Sequence, residues 1–171
     1  MDAYRAVVDK RDQRGFGERP IPDGALRRIL QAGRMAGSSK NSEPNRFIVI
    51  RDRARLAALA ATSPFGRWVG RAAAVIAIVQ TREHQFDAGR AAQNMMLVAW
   101  SDGIGSCPAH LPEAELAALL DIPGDLVINR VIGFGYVPPE RAAPPASVAR
   151  RRRPLAELVH WERWGGRAES P

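Results

Sequence analysis

The chain has a single cysteine, Cys107, among its 171 residues, which excludes an internal disulfide framework and a cysteine-rich zinc site. Its three histidines, His84, His110 and His160, stand far apart, with no His-Glu-x-x-His pattern and no cluster of carboxylates at ligand spacing. The composition thus points away from a metal centre. No apolar run approaches the roughly 20 residues of a membrane-spanning helix. Met1-Asp2-Ala3-Tyr4-Arg5 leads into no apolar core, so no signal peptide is expected and the setting is read as reducing and cytoplasmic. Gly103-Ile104-Gly105 continues as Ser106-Cys107-Pro108, so the Gly-x-Gly-x-x-Gly fingerprint of a dinucleotide-binding Rossmann unit is missing. Lysine is scarce too: 2 Lys stand beside 23 Arg and 28 Ala. The net charge of +7 is therefore mostly an arginine excess of the kind GC-rich coding produces, and by itself names no partner.

What is present is a globular composition, 46% apolar and 25% charged, with no internal repeat. Apolar spacing predicts a short helix over residues 2–10 with Tyr4, Val7 and Val8 on one side. A second helix follows Pro20 and Pro22, capped by Asp23 and carrying Leu26, Ile29, Leu30 and Gly33. Residues 37–44 read as a loop, Phe47–Ile50 as a strand, and Leu56, Leu59 and Ala60 as a short helix. The unbroken run Ala74–Val79 is the best strand, buried on both faces. From Asp87 to about Trp100 runs a helix apolar over most of its circumference, hence buried on several sides. Gly103-Ile104-Gly105 ends it. A helix with Leu116, Leu119 and Leu120 follows Pro112, and Leu126–Ile128 and Val131–Tyr136 supply strand material. Residues 137–149 are proline-rich and linker-like. Leu155, Leu158 and Val159 form a closing amphipathic turn before Trp161 and Trp164. The class is α+β: one domain over residues 1–164 and a tail over 165–171.

Two segments can carry chemistry. Lys10-Arg11-Asp12-Gln13-Arg14 concentrates three cations where a helix gives way to a turn, and forked guanidinium donors suit phosphate oxygens. The loop Ser38-Ser39-Lys40-Asn41 offers hydroxyl and amide groups to a polar cofactor. Taken alone, the first reads sooner as solvated surface and the second as an ordinary loop capping a helix end. Cys107 reads as a small packed residue in a glycine-rich turn rather than a nucleophile.

In combination the landmarks are more specific. Lys10–Phe16, Pro22 before a helix, and Ser38-Ser39-Lys40-Asn41-x-x-Pro44 running into Phe47–Ile50 come first. Asp87-Ala88-Gly89-x-x-Ala92-Gln93-Asn94-Met95-Met96-Leu97, Gly103–Cys107, Gly133-Phe134-Gly135-Tyr136-x-Pro138 and Arg153-Pro154-Leu155 follow in order. The series resembles the FMN-dependent nitroreductase family along nearly the whole chain.

The resemblance implies a central mixed or antiparallel sheet flanked by helices, with a C-terminal extension reaching the partner subunit. It implies a homodimer with FMN at the interface and NADH or NADPH as electron donor. Nitroaromatics, quinones or similar electrophiles would be reduced by ping-pong use of one pocket, with no nucleic-acid or membrane partner. By similarity Lys10, Arg11, Asp12 and Arg14 hold the flavin. Arg150, Arg152 and Arg153 meet its phosphate, Ser38, Ser39 and Asn41 approach from the partner, and Ala109 and His110 lie along the ring. The flavin itself carries the chemistry, so no catalytic side chain is required. Three positions depart from the family pattern: Asp12 replaces Ser, Glu43 replaces Gln and Asn45 replaces Trp. Asp12 must then either face a ring N–H or ribityl hydroxyl, or pair with a neighbouring arginine. Alternative readings are an oxygen-dependent enzyme that consumes the flavin, a non-catalytic flavin-holding protein, and an arginine-rich nucleic-acid-binding module.

Overall fold

A computed structural model describes residues 2–81, 84–145 and 152–166. Its sheet has four antiparallel strands: β1 (Arg46–Ile50), β2 (Ala74–Gln80), β3 (Gly105–Ala109) and β4 (Val127–Gly135), in the order β1-β2-β4-β3. The helices are α1 (Ala3–Asp9), α2 (Asp23–Arg34), α3 (Arg53–Ala61), α4 (Gln85–Ser101) and α5 (Glu113–Leu119).

Strand alternation divides the core into two layers. Ala74, Ile76 and Ile78 of β2, with Ile132 and Phe134 of β4, pack against Leu26 and Ile29 of α2 and Ala88, Ala91, Met95 and Ala99 of α4. Val75 and Ala77, with Val131, face the opposite way onto Leu56 and Leu59 of α3, Val69 and Leu116 of α5. All seven residues of β2 are buried, as its apolar run requires. Burying each such aliphatic or aromatic side chain contributes about 1.5–3 kcal/mol before chain entropy is counted.

Four local expectations change. In α1 the buried residues are Ala6 and Asp9, while Tyr4 and Val7 are exposed: the three large apolar residues of a seven-residue helix define no decisive stripe. Asp23 is the first residue of α2 rather than its cap; Pro22 precedes it with φ −59° and ψ 146°, and Asp23 pairs with Arg51. The two pieces of C-terminal strand material join into the single strand β4, whose pairing shifts register opposite Ile78 and Val79. Cys107 lies in a strand, β3, not in a turn.

The second layer also explains the Gly133-Phe134-Gly135 motif. A Cβ on Gly133 would stand 2.6 Å from the Trp68 ring, and one on Gly135 would stand 2.9 Å from the Phe16 ring. Phe16 and Trp68 pack as a tilted pair with centroids 5.9 Å apart, and the missing side chains admit them to the sheet. This packing draws the N-terminal segment across the sheet.

Candidate functional site

Strand β3 is at the sheet edge, and residues 12–13 cover that edge. Asp12 forms an isolated parallel bridge to Ser106, and the Gln13 N–H donates to the Ser106 carbonyl at 2.9 Å. An extended backbone sends alternate side chains to opposite sides. Lys10, Asp12 and Arg14 therefore gather along one side of the segment. Lys10 Nζ pairs with the Asp12 carboxylate and lies 3.5 Å from Met96 Sδ of α4. Arg14 Nε donates to Cys107 Sγ at 3.2 Å, and its guanidinium sits 5.7 Å from the centre of the Trp68 ring. Such a cation–π contact adds about 0.5–1 kcal/mol at a partly exposed site and fixes the plane of the fork.

The other side of the segment turns away. Arg11 NH1 donates to the Pro144 carbonyl at 3.3 Å, and the Gln13 side chain exchanges hydrogen bonds with the Ala143 backbone. Arg11 thus stands outside the cluster. Asp12 pairs with Lys10 rather than with a neighbouring arginine, which was one of its two expected roles.

Burial pushes the Cys107 thiol above its ordinary range, and the Arg14 hydrogen bond opposes this only in part. Contact with Cys107 in turn pushes the Arg14 guanidinium further up, so it stays charged. Cys107 is accordingly a neutral, buried positioning contact for Arg14. Ser106 Oγ, one residue earlier, is buried with no hydrogen-bond partner among the described residues.

Where β3 ends, Ala109 is half-buried and His110 is exposed. A cavity of about 300 Å³ opens beside them, lined also by Gln85, Pro112, Glu113 and Asn129. The His110 backbone N–H has no partner among the described residues.

Residues 39–43 of the loop are exposed and Ser38 is half-buried; among the described residues no hydrogen bond or ion pair links Ser38, Ser39 or Asn41 to the Lys10–Arg14 cluster of the same chain. Its backbone is left-handed at Lys40, Asn41 and Glu43, with φ of 51°, 53° and 47°. Such non-glycine residues are held in sparsely populated conformations. Ser38 Oγ accepts from the Glu43 N–H at 3.0 Å, closing the loop on itself. Asn45, the departure beside Pro44, heads an amide chain that ties the loop to the fold. Gln80 Nε2 donates to Asn45 Oδ1 at 2.6 Å, Asn129 Nδ2 to Gln80 Oε1 at 2.8 Å, and Asn45 Nδ2 to the Asp87 carbonyl at 3.4 Å.

Arg152 and Arg153 are exposed and make no hydrogen bond or ion pair among the described residues. Arg150 lies outside those residues. The sequence reading missed Trp68 and the Arg14–Cys107 contact. The available signal was the Gly133/Gly135 pair, two gaps on one face of a strand that large side chains must fill.

The four-stranded antiparallel sheet between helices has counterparts among known proteins. The family model described as Nitroreductase family matches residues 7–67 and 65–136. The chain belongs to the nitroreductase family. A protein of Archaeoglobus fulgidus named NADH dehydrogenase/NAD(P)H nitroreductase is 28% identical over 176 residues, spanning 95% of this chain and 99% of its own length. The crystal structure of a nitroreductase from Desulfovibrio desulfuricans in complex with FMN is 31% identical, with a TM-score of 0.80 and coverage of 95% of this chain and 98% of that one. A nitroreductase family protein of Clostridium difficile superposes with a TM-score of 0.84 at 19% identity, covering 95% and 99%, and attests the fold. Among the described residues no group of three His, Cys, Asp or Glu is placed to hold a metal, and no helix is long and apolar enough to cross a membrane.

Proposed function

We propose that this nitroreductase is an FMN-dependent oxidoreductase that takes electrons from NADH or NADPH and reduces electrophilic small molecules such as nitroaromatics or quinones. The observation that carries the reading is the convergence of Lys10, Asp12 and Arg14 on the edge of β3, the strand that leads on to His110.

The donor set fits FMN. Lys10 and Arg14 are cations suited to a phosphate or to charge accumulating on a ring edge. The Asp12 carboxylate accepts from ring N–H or hydroxyl donors, and its pairing with Lys10 reduces its repulsion of a nearby anion. The His110 backbone N–H, without a partner among the described residues, is available as a donor. Arg14 is held by Cys107 and Trp68, so less side-chain entropy is lost when it binds. Bound FMN supplies the hydride-accepting and hydride-donating chemistry. The protein's task is to bind, orient and electrostatically bias it.

The remaining assignments complete the site across a homodimer. The partner's copy of the loop bearing Ser38, Ser39 and Asn41 would close it, and Arg150, Arg152 and Arg153 would reach the phosphate from a C-terminal arm. The left-handed backbone of that loop and the exposed state of Arg152 and Arg153 support this arrangement. One domain, residues 1–164, with a tail over 165–171 and a cytoplasmic setting complete the proposal. Donor and electrophile would use one pocket in turn. Steady-state rates at several fixed electrophile concentrations should then give parallel double-reciprocal lines; intersecting lines would contradict the shared pocket.

A further inference from the structure

Three arginines outside the Lys10–Arg14 cluster line one open cavity of about 610 Å³. Arg53 comes from the first turn of α3, Arg71 from the end of the 3-10 turn Pro64–Arg71, and Arg141 from the turn Pro139–Arg141 after β4. Glu18 is the carboxylate on the wall. Elements distant in sequence thus bring three positive charges and one negative charge to one concavity.

Two of the cations are held in place without being neutralised. Arg53 NH1 donates to the Ala72 carbonyl at 2.8 Å and NH2 to the Gly70 carbonyl, while Arg141 NH1 donates to the Phe16 carbonyl at 3.4 Å. The side chains of Arg71 and Glu18 have no hydrogen bond or ion pair among the described residues. Arg5, Arg28 and Arg51, by contrast, are each paired with a carboxylate, of Asp9, Asp102 and Asp23. Like charges collected in a cleft repel one another and focus a field that attracts counter-charge.

We propose that this cavity binds a small, multiply charged oxyanion, carrying either phosphate groups or several carboxylates, on the forks of Arg53, Arg71 and Arg141. Planar guanidinium groups match both anions in bidentate fashion. The volume falls in the range of small-molecule sites, roughly 300–1,000 Å³. A concavity of limited volume, unlike a long stripe, favours a small ligand over a nucleic-acid backbone. The site shares no residue with the Lys10–Arg14 cluster, so it stands whether or not the flavin reading holds.

The test is calorimetric titration of the purified full chain, with its flavin content measured, using pyrophosphate in one arm and citrate in the other. Saturable binding of one anion per chain is expected. Losing the charge-assisted bonds in Arg71→Gln combined with Arg141→Gln should weaken it about tenfold or more. Both side chains are exposed, and an unchanged unfolding temperature confirms that the variant is folded. Lys10→Ala combined with Arg14→Ala should leave the affinity within about twofold. Tighter pyrophosphate binding assigns the phosphate source, and tighter citrate binding the carboxylate source. The proposal is overturned by the absence of saturable binding to either anion, or by equal affinity in the Arg71/Arg141 variant. Loss confined to the Lys10/Arg14 variant, or preference for a DNA duplex over both anions, overturns it as well.

Discussion

The two ends of the chain carry similar charge and opposite structural status. At the N-terminal strip, Lys10 is inserted beside Met96 with its side chain only 8% exposed, and Arg14 is fixed by Cys107 and Trp68. At the C-terminal arm, Arg152 and Arg153 stand in solvent, and so do Leu155, Leu158, Trp161 and Trp164. One region is finished within a single chain; the other displays apolar and basic groups that this chain does not cover. Charge alone therefore says little about a site. What distinguishes the strip is that its cations are aimed by neighbours, and pre-aimed donors lose less on binding.

The comparison can be broken experimentally. The largest effect is expected at the strip: Arg14→Ala removes charge-assisted hydrogen bonds worth about 1.5–3 kcal/mol and should weaken FMN about 10- to 100-fold in a fluorescence titration. Replacing both Arg152 and Arg153 by alanine should weaken FMN less, about 3- to 10-fold, because exposed side chains lose more freedom when they engage. The same double substitution should leave thermal stability within about 0.5 kcal/mol, since neither side chain packs on the body. Arg11→Ala sharpens the contrast within the strip itself. Its side chain points to Pro144, so FMN affinity should stay within about twofold.

Cys107 gives the smallest effect, read through pH. Burial raises its thiol in the folded state above the ordinary value of 9.0. The native state thus favours the neutral thiol. This contribution is complete below the unfolded value and is lost as pH rises through the folded one. Denaturation midpoints measured from pH 7 into the alkaline range should fall more steeply for the natural chain than for Cys107→Ser. Superimposable curves would show that the thiol does not titrate as described.

Much of the architecture was legible because its signals are local. The apolar run Ala74–Val79 could only be a strand covered on both faces, and the residues of α4 could only be a helix buried on several sides. Strand β3 was not legible: five residues containing Gly105 and Pro108 have little strand preference, and their pairing with β4 is a tertiary fact. The site was legible as a list of residues but not as a geometry. Nothing in Lys10-Arg11-Asp12-Gln13-Arg14 declares that the segment is extended. Once it is, a period of two separates Lys10, Asp12 and Arg14 from Arg11 and Gln13. The role of Asn45 was equally hidden, because its partners, the Gln80 side chain of β2 and the Asp87 carbonyl of α4, come from elements far along the chain.

The most direct test of the central claim is an anaerobic one. The full chain is saturated with FMN, freed of excess by desalting, and mixed with NADH or NADPH while the yellow flavin absorbance is followed. The account predicts that flavin is retained, that the colour bleaches with at least one of the two donors, and that a quinone or nitroaromatic restores it. A chain that retains no flavin, or whose bound flavin neither nicotinamide donor can bleach, would contradict it.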